Sequence, residues 1–168
     1  GMVCGDAYEG KYVDAIIING ILYFNKFEGQ GGNDVEQVVV AMDLHTGEIV
    51  WERTLLDNEQ IEFGQTMYWD TMNSHGVYTY LWATSGTTWM AFDAQTGRWV
   101  YNITNVPSGT RTFGPNGEIL VYVISGGELS KWNSTAVYYN TLLEETDNYY
   151  YHAGMSSRGG KTCIKSCS

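Results

Sequence analysis

Basic side chains are scarce in this chain: nine Lys and Arg stand against nineteen Asp and Glu, a formal net charge of -10. Such a balance opposes binding to nucleic acid or to an anionic membrane surface. Long apolar runs are also missing, stretches such as Ala15–Ile18 falling far short of the ~20 residues that cross a bilayer as a helix. No membrane insertion is expected. No basic region and apolar stretch open the chain, since Gly1-Met2 leads straight into Val3-Cys4-Gly5, so an export signal is expected upstream if the protein is secreted. Only three cysteines occur, Cys4, Cys163 and Cys167, all near the chain ends. An odd number leaves one unpaired, and a bridge between Cys163 and Cys167, a bridge from Cys4 to either, and a reduced set of thiols all stay open. Zinc is not expected, because His152 has no second histidine beside it to complete a four-ligand set.

What the chain has instead is apolar and aromatic material. Apolar residues make up 43% and aromatics 14% against a charged fraction of 17%, which excludes disorder and supplies one domain with a core. Twenty glycines against two prolines suit short strands joined by tight turns rather than a helical bundle. Charge is unevenly placed: three of the nine basic residues, Arg158, Lys161 and Lys165, fall after the last acid, Asp147. This Gly/Ser-rich end reads as a solvated tail.

A repeat organises the middle of the chain. Ala41-Met-Asp43-Leu-His-Thr46-Gly47-Glu-Ile-Val50-Trp51 returns as Ala91-Phe-Asp93-Ala-Gln-Thr96-Gly97-Arg-Trp-Val100-Tyr101, fifty residues later. Each copy runs from a half-apolar strand into Asp-x-x-Thr-Gly and out into a second strand that ends on a large ring. The aspartate can accept hydrogen bonds from turn amides, the glycine can take a positive φ, and the ring can pack between sheets. Asp43 and Asp93 are therefore read as turn residues, not as metal ligands or catalytic acids. Upstream lies a second element, a polar-Gly pair before a strand: Asn19-Gly20, His75-Gly76 and Asn116-Gly117, 56 and 41 residues apart. Asn-Gly between apolar runs predicts a two-residue hairpin of type I′.

Together these signals predict four strands per unit, at 11–18, 21–27, 36–43 and 48–54, then at 66–72, 77–84, 87–93 and 98–104. A third unit begins at 109–114, 117–124 and 127–132, with a fourth strand at 136–142. Four-stranded antiparallel units of this period predict an all-β fold, a partial β-propeller of about three four-stranded antiparallel blades forming an open arc. The expected organisation is an N-terminal segment over 1–10, blades over 11–56, 62–106 and 107–143, and an irregular Gly/Ser-rich tail over 144–168.

The motif Ala-x-Asp-x-x-Thr-Gly-x-x-x-Trp, preceded by a Gly-led strand pair, resembles the PQQ-like (quinoprotein-type) propeller repeat over about residues 11–135. The first copy is the close match; the second has Tyr101 in the place of the tryptophan, and the third lacks Asp-x-x-Thr-Gly. The resemblance implies that Trp51 docks between adjacent blades, and Asn102–Thr110 with Phe113–Gly117 further resembles large secreted or surface-exposed repeat proteins. Two types of function follow from it: dehydrogenases that hold pyrroloquinoline quinone (PQQ) with calcium, and modules that share only the blades. The first type implies an adjacent cysteine pair, which this chain lacks, so no cofactor ligand is carried over and no cofactor is expected; PQQ and calcium belong only to the dehydrogenase alternative. Fold alone does not establish function.

No catalytic constellation stands out. His45, His75 and His152 lie in turns or the tail, outside any triad or metal spacing, and Gly29-Gln-Gly-Gly32 lacks the lysine of a phosphate loop. Trp69-Asp70 lacks the ordered His-Gly partner of a WD40 repeat. Asn102-Ile-Thr104 and Asn133-Ser-Thr135 satisfy the N-glycosylation pattern and are candidate acceptors. Between Arg53 and Arg98 no basic residue appears while aromatics are dense, making Trp69, Tyr78, Tyr80, Trp82 and Trp89 a candidate sugar-stacking surface; packing within blade strands is the simpler role for them.

The favoured expectation is a non-catalytic binding or scaffold module of a larger extracellular protein. Its partners would be the remaining blades of a parent chain or a second copy, with a glycan or protein as ligand. A fragment of a quinoprotein dehydrogenase and a carbohydrate-binding module are the alternatives.

Overall fold

A computed structural model describes residues 15–27, 36–71, 74–135, 150–152 and 161–164. The fold is all-β, a partial β-propeller of successive antiparallel meanders, and none of its sheets closes on itself. Among the described residues no helix is long and apolar enough to cross a membrane.

The first sheet runs in sequence order through β1 (Ile16–Ile18), β2 (Ile21–Phe27), β3 (Gln37–Asp43) and β4 (Ile49–Thr54). Asn19 and Gly20 close β1 onto β2 at φ 52° and 79°, with Ile18 opposite Ile21, which is the type I′ turn expected of Asn-Gly. A bulge between Ala41 and Met42 shifts the β3–β4 register, so Ala41 faces Trp51 while Met42 faces Ile49. Val50 is left over in that shift, and Ile49 and Val50 are both exposed as a result. A single 3-10 turn, Leu56–Asn58, leads out of the sheet.

The second sheet holds β5 (Phe63–Thr71), β6 (Ser74–Ser85), β7 (Thr88–Asp93) and β8 (Trp99–Thr104), again as sequence neighbours. The third holds β9 (Thr110–Phe113), β10 (Ile119–Ser125) and β11 (Glu128–Asn133). Two short strands come from the end of the chain, where the composition suggested an irregular tail. β12 (Tyr150–His152) pairs in parallel with Asn102–Thr104 of β8, and β13 (Lys161–Ile164) pairs antiparallel with β11. The fourth strand of the third sheet thus comes from residues 161–164. The stretch 136–142 expected to supply it lies outside the described residues, as do the segment over 1–10 and the start of the strand expected from 11.

Two further turn expectations are corrected. His75-Gly76 lies inside β6, which runs from Ser74 to Ser85 beside β5; a β-strand accepts both residues in extended conformation, so the dipeptide alone does not force a turn. At Asn116-Gly117 only the glycine has positive φ, 80°. The Gly117 N–H donates to the Gly114 carbonyl (3.0 Å), placing Pro115 and Asn116 at the turn centre. Pro115 sets φ for a type I turn and Gly117 forms the following left-handed bulge, which displaces the two-residue alternative.

Contacts group the residues into two compact units. One comprises the described residues up to Gly64 with Thr79–Thr84 and Ala91–Val100; its core holds Val39, Val40, Ala41, Ile61, Leu81, Trp82 and Phe92, each at most 2% exposed. The other comprises Gln65–Tyr78, Ser85–Met90 and the described residues from Tyr101 onward, with Met67, Trp89, Ile103, Ile119, Val121 and Trp132 buried. Burial alternates along Glu-Leu-Ser-Lys-Trp-Asn of β11, as a two-sided strand requires, whereas Trp89, Met90, Ala91 and Phe92 of β7 are buried in succession, so that strand is covered on both faces.

Candidate functional site

The two Asp-x-x-Thr-Gly segments form the same turn. Asp43 Oδ1 accepts from the backbone N–H of His45 (2.7 Å) and Thr46 (3.0 Å); Asp93 Oδ1 accepts from the Thr96 N–H (2.8 Å) and hydroxyl (2.8 Å). In each, the glycine N–H donates back to the aspartate carbonyl, at 2.8 Å for Gly47 and 2.7 Å for Gly97. The next residue on from each aspartate also donates to an earlier strand or turn, Leu44 to the Gly20 carbonyl (2.9 Å) and Ala94 to that of Thr79 (3.1 Å). Bonds to the Thr46 and His45 amides favour the ionised carboxylate and hold the Asp43 pKa below the usual aspartate range. Both carboxylates are thus engaged as turn staples.

Trp51 joins the first sheet to the second of these turns. Its indole Nε1–H donates to the Ala94 carbonyl at 3.1 Å, and its ring lies where a side chain on Gly97 would begin: a Cβ there would be 2.9 Å from Trp51 Cη2 and Cζ3 and from Arg53 Cδ. Tyr23 packs on the indole at a centroid distance of 5.9 Å, and the Arg53 guanidinium carbon sits 5.9 Å from the ring centroid. Burial first, and then the Asp93 charge, push the Tyr23 phenol above its ordinary pKa. Of the repeat residues, Asp43, Thr46 and Gly47 build the first turn, Asp93, Thr96 and Gly97 build the second, on which Trp51 docks, and Ala41 stands opposite Trp51 in the β3–β4 register. Ala91 and Tyr101 are core residues at 0% and 5% exposure.

Gly47 and Gly97 make a matched pair, at φ 72° and 65° in equivalent turns, but nothing lies within 4 Å of a Cβ on Gly47. Gly47→Ala should lose roughly 1–2 kcal/mol, the cost of a left-handed Cβ. Gly97→Ala should lose at least roughly 1 kcal/mol more, because the indole must also move. Urea denaturation of both variants measures the difference; equal losses would show that Trp51 does not rest on Gly97.

The aromatic stretch does not present one surface. Trp82 is fully buried, with Phe63 stacked on it at 6.0 Å and 12° and Tyr80 edge-on at 6.2 Å. Trp89 is 8% exposed and meets Trp132 edge-to-face at 5.7 Å. Both are core residues, since their neighbours exclude the solvent that a sugar face would have to enter. Tyr78 is 38% exposed, and Trp69 and Tyr80 are half-buried. Among the glycosylation candidates, Asn102 is half-buried within β8, on the strand that carries β12. Asn133 ends β11, and its Oδ1 accepts from the Thr135 N–H (2.9 Å) and hydroxyl (2.7 Å). Cys163 stands on β13 opposite Ser130; Cys4 and Cys167 lie outside the described residues. Among the described residues no three His, Cys, Asp or Glu side chains gather into a metal-holding group.

Two amides that the sequence did not single out matter more than these. Asn25 is 4% exposed in β2; its Nδ2 donates to the Ile61 carbonyl (2.8 Å) and its Oδ1 accepts from the Ile61 N–H (2.9 Å). Gln65 is 1% exposed in β5 and donates from Nε2 to the Gly117 carbonyl (2.8 Å). A lone amide in an apolar strand, as in Ile-Leu-Tyr-Phe-Asn25, is the signal that could have found the first of them.

No family model matches the chain, and no curated protein matches it.

Proposed function

We propose that the chain is a PQQ-like propeller repeat module without chemistry of its own, a binding or scaffold part of a larger extracellular protein. The observation that carries this reading is the docking of Trp51. Its N–H bond to Ala94 and its seat on Gly97 commit the most distinctive ring of the repeat, and the turn it reaches, to packing. The aspartates of both repeats are likewise engaged by their own turn amides and hydroxyls. Exposed apolar residues on the outer strands of the first sheet, Ile17 on β1 and Ile49 and Val50 on β4, support association with further blades or a second copy. The net charge of -10 supports neutral or basic partners over polyanions.

Titration of the full chain with PQQ and calcium tests the non-catalytic reading. The expected result is no bound-cofactor absorbance and no dye-linked alcohol oxidation. Stoichiometric cofactor binding would overturn it and bring the dehydrogenase alternative forward, whereas saturable binding to a polysaccharide on a glycan array would favour a carbohydrate module.

A further inference from the structure

Two Asn-Gly dipeptides occur in the chain, and the structure gives them opposite surroundings. At Asn116-Gly117 the glycine N–H is held by the Gly114 carbonyl (3.0 Å), and the Asn116 carbonyl accepts from the Tyr68 N–H (2.8 Å). Gly117 is also hemmed in, since a Cβ on it would meet the Thr66 backbone oxygen at 1.8 Å. At Asn19-Gly20 the asparagine is exposed and the Gly20 N–H has no partner among the described residues. The Gly20 carbonyl is held by the Leu44 N–H (2.9 Å), which fastens this peptide to the next hairpin turn. One residue further on, the His45 imidazole lies against Gly20: its Cε1 and Nδ1 are 3.5 and 3.7 Å from where a Cβ on the glycine would stand. The ring is 86% exposed, and its Nδ1 lies 3.9 Å from Asp43 Oδ1.

We propose that Asn19 is a self-modification site at which His45 moves the proton. The Gly20 nitrogen attacks the Asn19 side-chain carbon Cγ, and the nitrogen's proton passes to the imidazole. The new N–Cγ bond closes a five-membered succinimide as the Cγ–N bond of the side-chain amide breaks. The departing nitrogen takes the proton back and leaves as ammonia. Water then opens the ring at either carbonyl, leaving aspartate or isoaspartate; one water enters and one ammonia departs. Glycine permits the reaction because no side chain shields its nitrogen. The product puts a carboxylate into the β1–β2 turn. The isoaspartyl form also adds a main-chain methylene to a turn closed by only two residues, which removes the Ile18–Ile21 pairing that the type I′ geometry sets.

The test is prolonged incubation of the full chain at neutral pH, followed by peptide mapping for the Asn-to-Asp mass gain and for isoaspartate. Asn19 should convert at least severalfold faster than Asn116. His45→Gln, checked as folded by near-UV circular dichroism, should slow Asn19 severalfold. In urea both sites should convert at similar rates whether or not His45 is present. An intact Asn19, or conversion in the folded wild type no faster than at Asn116, overturns the site. A folded His45→Gln chain that keeps the wild-type rate at Asn19 overturns the role of the imidazole.

Discussion

Trp82→Ala should destabilise the chain by about 3–5 kcal/mol, the range for truncating a large buried ring. Trp82 has no exposed surface; Phe63 lies parallel to it at 6.0 Å and Tyr80 meets it edge-on at 6.2 Å, so the cavity would be walled by other rings. Stacked and edge-on pairs contribute beyond their buried area, and rigid strands on either side allow little collapse into the void. In thermal unfolding the loss corresponds to a fall in Tm of roughly 6–20 °C. Val77→Ala, at a position 63% exposed, serves as the control and should stay within about 0.5 kcal/mol of wild type. A similar small effect for Trp82→Ala would mean that this ring is not a core residue and would restore it to the sugar-stacking surface.

Asn25→Leu keeps the branched four-atom side-chain skeleton and adds apolar surface, yet it should cost roughly 2–5 kcal/mol. The reason is that both polar groups of the buried Ile61 peptide depend on this one amide, at 2.8 and 2.9 Å. Each group left without a partner costs about 1–3 kcal/mol. Asn25→Asp separates the two halves of the interaction: it keeps an acceptor for the Ile61 N–H but sets a buried carboxylate against the Ile61 carbonyl. Its folded-state pKa should be raised, so the chain should regain stability as the pH falls and the acid takes a proton to donate. Equilibrium urea unfolding of the two variants at neutral and mildly acidic pH measures both effects. A neutral Asn25→Leu would show that Ile61 finds other partners.

How legible these features were follows the distance over which each is specified. The Asp-x-x-Thr-Gly turns were readable because the bonds that close them, from the His45, Thr46 and Gly47 amides to Asp43 and from Thr96 and Gly97 to Asp93, span four residues or fewer, so residue identity and spacing suffice. Asn19-Gly20 was readable for the same reason. His75-Gly76 misled because a polar-Gly pair permits a turn without requiring one, and the neighbouring strands extended β6 through it. Pro115, one residue before Asn116-Gly117, had already set a different turn.

Long-range pairing could not be read in that way. The Trp51 ring was recognisable as a packing residue from its repeat position, but its seat on Gly97 joins residues more than forty apart, and so does its bond to Ala94. The strand completing the third sheet was expected just after β11, whereas Lys161–Ile164 pairs there after a long intervening segment. In Tyr78-Thr-Tyr80-Leu-Trp82 the alternation identifies a face, while the depth of burial along it, from 38% exposed at Tyr78 to 0% at Trp82, depends on what packs above each ring.

Residue order alone is enough to specify an all-β chain of successive hairpins and the chemistry of its turns, because strand periodicity and turn hydrogen bonds are local. Which aromatics are core, which amides satisfy the buried backbone of Ile61, and which Asn-Gly lies against an imidazole are set by the folded arrangement. Those outcomes depend on non-local contacts that exclude water or bring donors and acceptors together across the chain.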